Sequence, residues 1–281
     1  MNADRQPLDP AVFTLDDGVE FRYKWTKSIE KSWRGPLFQA AENKNLASVM
    51  DLHVHTNQGS PDSSLTPGEL VTEAARVGLN GVMVTEHVGW PRPDFEAFAR
   101  EQGMLLVRAL ENYSPLGHII TLGLDSHVTG FTGGIDTVKK LRLEVDKVGG
   151  FMILAHPFRY LFDLPGRYSQ NILFEDPLAM PSSYQEAARH PIFQLVHDVE
   201  VVNGANNEVE NRFAQGVAAF LEMPGTGGSD AHSVNGLGKG STVFPGDIRN
   251  ERDLLDALRA GEYVPQEGFH LGNPQEYRPG S

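Results

Sequence analysis

The sequence predicts an α/β barrel preceded by a β-hairpin, and three observations predict it. From about residue 47 onward short apolar runs alternate with helical periods, the histidines stand where those runs end, and the first 45 residues carry a period of two instead. At the start, Val12-Phe13-Thr14-Leu15, the turn pair Asp17-Gly18 and the alternation Val19, Phe21, Tyr23, Trp25 read as a hairpin with one apolar face. An isolated hairpin needs a surface to pack on. Residues 1–46 are therefore expected as an extension that caps the barrel, lines a rim or makes a dimer contact. The apolar runs 49–54, 81–84, 104–110, 118–122, 151–154, 196–202 and, more weakly, 226–229 read as buried strands. Helical periods fill 67–77, 91–102, 135–148, 183–189 and 206–221. Thr66 with Glu69, and Ser183 with Glu186, mark two of the helix starts. Such alternation means βα units around a parallel sheet, and about seven of them closing on themselves make a barrel. The run 236–242 lacks Walker spacing and reads as a loop, and 268–281, rich in Gly and Pro, as a loose tail.

Composition sets limits on function. The 281 residues hold 24 Lys+Arg against 37 Asp+Glu, a formal net charge of −13, which argues against nucleic-acid duplexes and anionic membranes as partners. No cysteine is present, so any metal must be held by His and carboxylates, and no Cys nucleophile is available. The N-terminal stretch has neither a basic nor an apolar targeting region, and no apolar run approaches membrane-spanning length, so a cytoplasmic protein is expected.

The histidines carry the chemistry. Asp51-Leu52-His53-Val54-His55-Thr56 closes the first strand, and the spacing of two puts both imidazoles on one face. Thr85-Glu86-His87, Ala109-Leu110-Glu111, Leu154-Ala155-His156-Pro157 and Gly228-Ser229-Asp230-Ala231-His232 close later strands, and His118 opens one. In a βα barrel the strand ends share one mouth, so these groups converge. Stacked carboxylates and imidazoles call for a cation, and Zn²⁺, Mn²⁺ and Fe²⁺ all suit this donor set. His127, His190, His197 and His270 fall off the pattern and read as structural or surface residues.

His53-Val54-His55, Glu86-His87, Glu111, His118, His156-Pro157 and Ser229-Asp230-Ala231-His232, in this order, resemble the PHP (polymerase and histidinol phosphatase) family of metal-dependent phosphoesterases. The resemblance covers about residues 48–265 and is nearest to the branch acting on small phosphorylated molecules such as nucleotides. It implies a distorted (β/α)7 barrel over residues 47–267, with two or three divalent ions (Zn²⁺, Mn²⁺ or Fe²⁺) at the strand ends. By position, His53, His55 and Asp230 would hold one ion, Glu111 would bridge to a second held by His118 and His156, and His87, His232 and Asp62 would hold a third. Glu86 would orient a ligand histidine through its free ring N–H. The implied activity is phosphoester hydrolysis of a nucleotide or sugar phosphate by metal-bound hydroxide, with Asp230, His232 and Glu111 as candidate catalytic residues. Arg159, Tyr160, Trp90 and Asn203 follow strand ends and are candidate substrate contacts, as is Tyr113. The same ligands would serve an amidohydrolase-like enzyme on a non-phosphorylated substrate, or survive in a non-catalytic PHP module. The expected partner is a small phosphorylated substrate, and a homo-oligomer is left open. Specificity would lie in the loops 90–94 and 160–181, the latter long enough for a lid, and in the hairpin.

Overall fold

A computed structural model describes residues 12–14, 20–22, 47–130, 133–162, 171–176 and 180–276. The chain divides into two compact units, residues 1–44 and 45–281. In the first, β1 (Val12–Thr14) pairs antiparallel with β2 (Glu20–Arg22), Phe13 standing opposite Phe21. The expected turn at Asp17-Gly18, and Val19, Tyr23 and Trp25, lie outside the described residues.

The second unit is one curled sheet with helices between its strands. In chain order it runs β3 (Ser48–Val54), α1 (Pro67–Val77), β4 (Gly81–Glu86), α2 (Arg92–Arg100), β5 (Leu105–Ser114), β6 (Gly117–Leu122), α3 (Gly134–Lys147), β7 (Phe151–Leu154), α4 (Tyr184–Ala187) and β8 (Asp198–Asn203). It continues with α5 (Glu208–Phe220), β9 (Thr226–Gly228), β10 (Gly240–Phe244), α6 (Glu251–Ala260), β11 (Val264–Glu267) and β12 (Gln275–Glu276). The spatial order is β12-β11-β10-β3-β4-β5-β6-β7-β8-β9. Backbone bonds carry the end of β9 back to β3: Asp230 N donates to the His53 carbonyl at 2.7 Å and His55 N to the Ala231 carbonyl at 3.0 Å.

The sheet is mixed, where the alternation of strands and helices predicts a parallel one. β3, β4 and β5 are parallel to one another, as are β7, β8 and β9, but β6 runs antiparallel to both of its neighbours. The cause is local. Only Pro115 and Leu116 separate β5 from β6, with Gly117 at φ 112° and Ser114 Oγ donating to its carbonyl, and a link that short makes a hairpin, never a crossover. Residues 236–242, expected as a loop, run into β10, which pairs antiparallel with β3 and β11. Beyond residue 268 the chain makes a 3₁₀ turn at Phe269–Leu271 and pairs β12 with β11.

Both expected helix starts form their caps. The Thr66 side chain accepts from Glu69 N while Glu69 reaches back to Thr66 N, a complete capping box, and Ser183 accepts from Glu186 N. α1 and α2 bury Leu70, Ala74 and Phe95 against Val82, Val84 and Leu106 of the sheet. α3 and α5 bury Leu141, Val145, Phe213 and Val217 against Leu110, Met152, Leu154 and Val199. Val107 and Ala109 share a strand face with Glu111, so a cluster with Met83, Ile120 and Ile153 forms an apolar floor under the polar groups. Among the described residues no helix is long and apolar enough to cross a membrane.

Candidate metal centre

His53 and His55 sit on the last turn of the pleat in β3 and just beyond it, both fully buried. The curl of the sheet brings Asp230 and His232 to them from the far end of the chain. His87 follows β4, Glu111 lies in β5, His118 opens the reversed β6 and His156 follows β7. The antiparallel run of β6 is what sets His118 at the same end of the sheet as Glu111: His118 stands opposite Tyr113, two residues along from Glu111 and on the same face.

The distances describe a cage of donors. His53 Nε2 and His55 Nε2 face each other at 3.1 Å, and Asp230 Oδ1 lies 3.4 and 3.3 Å from them. Glu111 Oε1 lies 2.9 Å from His118 Nδ1, 3.1 Å from His156 Nε2 and 3.4 Å from His53 Nε2. Its other oxygen, Oε2, lies 3.3 Å from His55 Nε2 and 3.2 Å from His87 Nδ1, yet is buried without a hydrogen-bond partner. Asp62 Oδ2 is 3.4 Å from both His87 Nε2 and His232 Nε2. Three triads have donor atoms within 4.8 Å of one another: His53/His55/Asp230, His53/Glu111/His156 and His55/His87/His232.

The donor set fits divalent cations. Bonds of about 2.0–2.1 Å to nitrogen and oxygen set tetrahedral edges of about 3.3–3.4 Å, and the His53/His55/Asp230 face has edges of 3.1, 3.3 and 3.4 Å. The unpartnered Glu111 Oε2 adds an acceptor that protein hydrogen bonds leave free.

Electrostatics point the same way. Burial opposes a charge on His53, but Glu200, Asp230 and Glu111 outweigh it and hold its pKa well above the usual value. Burial would raise Glu111 and Asp230, yet His53 and the neighbouring imidazoles hold both well below the carboxylate range. Burial, with His55 nearby, lowers His87 to about 4, so its imidazole is neutral at neutral pH and offers a lone pair. Negative charge concentrated this way is what a cation would neutralise.

A second layer orients the cage. Glu200 Oε1 lies 3.0 Å from His53 Nδ1, and its Oε2 accepts from His156 N and Asn203 Nδ2. His55 Nδ1 lies 3.1 Å from Ser60 Oγ, which donates to Glu86 Oε2 at 2.6 Å. Glu86 thus reaches His55 through Ser60, where sequence reasoning expects direct contact with a histidine, and it also accepts from Thr56 N and Thr56 Oγ1. Gly59 is required here, because a Cβ would come within 2.8 Å of the Glu86 side chain. Asp51 accepts from Ser229 N, Gly238 N and His53 N and so ties the two ends of the curl together, while burial pushes its pKa to about 6. Glu200, Ser60 and Asp51 are the residues that sequence reasoning missed. The signal for Glu200 was a lone carboxylate inside the apolar run Val199-Glu200-Val201-Val202.

The candidate substrate contacts separate. Arg159 is half-buried beside the cage and donates through Nη2 to Asp230 Oδ2 at 2.5 Å and Asn203 Oδ1 at 2.8 Å, and through Nε to Asn206 Oδ1. Asn203 is buried between Arg159 and Glu200. Tyr160 is exposed at φ 62°, and Tyr113 is exposed with its ring 5.5 Å from that of His118. Trp90 is a correction: it is 5% exposed and packs against Phe95 and Phe98 in the core, so its ring is not available to stack on a substrate. Of the loop 160–181, residues 163–170 and 177–179 lie outside the described residues. His156 and Asp230 hold left-handed backbone, at φ 30° and 54°, strain of the kind that collects at functional sites.

The PHP-associated family description matches residues 208–263, a segment that includes Asp230 and His232. No match is found among curated proteins. Of solved structures, PsfC from Pseudomonas syringae is similar at 18% identity and a TM-score of 0.51, over 76% of this chain and 90% of that one. A proposed metal-dependent phosphoesterase from Bifidobacterium adolescentis is similar at 16% identity and a TM-score of 0.50, over 75% and 96%. An amidohydrolase from Chromobacterium violaceum, solved with sulfate and no metal, is similar at 16% identity and a TM-score of 0.50, over 74% and 96%. These structures share the fold with this chain, and the PHP-associated match covers the segment that supplies Asp230 and His232.

Proposed function

We propose that the chain is a metal-dependent hydrolase that cleaves a phosphoester in a small phosphorylated molecule, a nucleotide or sugar phosphate. The observation that carries this reading is the His53/His55/Asp230 face beside one carboxylate, Glu111, whose Oε1 fronts His118 and His156 and whose Oε2 fronts His87. An imidazole nitrogen has one lone pair, so His53 and His55 can each serve a single ion. The nine donors then divide without overlap into His53/His55/Asp230, Glu111/His118/His156 and Asp62/His87/His232. Two or three Zn²⁺, Mn²⁺ or Fe²⁺ ions held there would supply an activated water and an electrophilic clamp on phosphoryl oxygens.

The chain's own groups do the rest. Arg159 fixes a positive charge beside Asp230, where a phosphoryl oxygen would need one. His232, half-buried beside the enclosed Asp230, is the proton carrier for the leaving oxygen, and Asp230 holds its ring in reach. Bound cations also let a chain of net charge −13 accept an anion. The C. violaceum amidohydrolase supports both readings, since sulfate is a tetrahedral anion like phosphate while an amide is the alternative scissile bond.

Elemental analysis of protein purified without chelator, beside phosphate release from nucleotides and sugar phosphates and turnover of amides and lactones, tests the proposal. Two or more equivalents of metal with chelator-sensitive phosphate release is the expected result. Metal with amide or lactone turnover alone would transfer the assignment to the amidohydrolase reading, and no metal after reconstitution would overturn both.

A further inference from the structure

We infer that Glu200 is a positioning residue that sets two metal-binding histidines from different strands at once. The inference rests on the metal centre proposed above. Glu200 is 2% exposed, and a buried carboxylate is costly unless its oxygens are fully used. Here they are. Oε1 lies 3.0 Å from His53 Nδ1, and Oε2 accepts from the His156 backbone N at 2.9 Å and from Asn203 Nδ2 at 2.8 Å.

A carboxylate in this position only accepts, so His53 keeps a proton on Nδ1, and Nε2, 3.4 Å from both Asp230 and Glu111, is the nitrogen it would offer to a metal. The bond to His156 N holds the residue whose backbone is turned to φ 30°, which aims its ring at Glu111. Among the described residues no lysine or arginine lies within ion-pair distance of Glu200, and its one such partner is His53. Gly228 leaves the space for this pair: a Cβ there would collide with His53 Cβ and come within 2.8 Å of Glu200 Oε1. His55, His87 and His232 make no contact with Glu200 in this network, since His55 is oriented by Ser60 and His232 by the Asp230 carbonyl. Glu200 therefore acts on the donor sets that contain His53 and His156 and leaves the set containing His87 and His232 alone.

The test is a cobalt(II) titration of metal-free protein, read from the visible bands of the bound ion, for wild type, Glu200→Gln, His53→Ala and His87→Ala. Glutamine can still accept from His53 but turns an N–H₂ group toward the His156 N–H, so one of the two ties is broken. The expected result is a 10- to 100-fold weaker affinity in Glu200→Gln for the sites whose bands vanish in His53→Ala. The sites whose bands vanish in His87→Ala keep wild-type affinity. Wild-type affinity throughout in Glu200→Gln, or equal weakening of every site, overturns the inference. Wild type that takes up no cobalt overturns it together with the metal centre, whereas metal uptake without any turnover touches only the proposed reaction. A measurement on wild type covers a variant that fails to fold: in ¹⁵N-histidine spectra of the zinc-loaded protein, His53 shows a slowly exchanging Nδ1 proton. A rapidly exchanging Nδ1 proton would overturn the inference.

Discussion

Ser60 stands between an imidazole and a carboxylate, and its hydroxyl is the only part of it that matters there. It donates to Glu86 at 2.6 Å and lies 3.1 Å from His55 Nδ1. Ser60→Ala leaves His55, Glu86 and the His87 backbone N–H each short of a bond, which costs about 1–3 kcal/mol and weakens metal binding about tenfold or more; thermal unfolding and metal titration of the same variant check the two effects. Asp230→Ala and His156→Ala remove donors and are expected to abolish turnover while the circular-dichroism spectrum stays that of wild type. Retained turnover in either metal-replete variant would contradict the site. Most of the candidate donors were legible in the sequence because they stand at one end of an apolar run, and Asp62, in a loop, lies 3.4 Å from His87 Nε2 and His232 Nε2. Their supports were not. Ser60 lies in a loop, and Glu200 sits in a strand where no period marks it, so their partners appear only when the sheet curls. Trp90 shows the opposite failure: it follows a strand end as a substrate contact would, but α2 covers it.

Among the elements, those with a strong period or a cap were readable and those made of small polar residues were not. The capping box of α1 lies where Thr66 and Glu69 predict it, and Thr66→Ala is expected to cost about 1 kcal/mol in chemical denaturation. β10 is Gly-Ser-Thr-Val-Phe, which reads as a loop, and is a strand only because β3 and β11 pair with both its edges. The direction of β6 depends on a link too short for a helix, a feature that an apolar run cannot reveal. Asp198, at the start of β8, is raised from 3.8 to about 6 by burial, against hydrogen bonds from Tyr263 Oη, Val199 N and Gly225 N. A folded-state pKa above the unfolded one gives stability that is full below pH 3.8 and lost as pH rises through about 6. Between pH 4 and 7 wild type is therefore expected to lose about 2–3 kcal/mol more than Asp198→Asn, measured by urea unfolding at a series of pH values; parallel curves would show that Asp198 does not titrate there.

For the whole molecule, the cage gathers Glu111, Asp230 and Glu200, all buried, within one cluster of imidazoles where metal and protons compete. Metal that binds only the folded state stabilises it by about 2.7 kcal/mol at a hundred times its dissociation constant. Chelation is expected to lower the melting temperature and re-addition of Zn²⁺ or Mn²⁺ to restore it, with a smaller shift in Asp230→Ala, which keeps the other donor sets. The α/β class and the convergence of the donors could be read from the alternation alone. Closure could not, because it depends on two backbone hydrogen bonds between β3 and the segment after β9.

That seam has a consequence for biosynthesis. Two of the three donor triads need Asp230 or His232, and the third needs His156, whereas His53 and His55 are made first. During translation the early histidines emerge from the ribosome more than a hundred residues before the partners that complete their triads. The His53/His55/Asp230 set, and any set that needs His232, can thus capture metal only after residue 232 has been made.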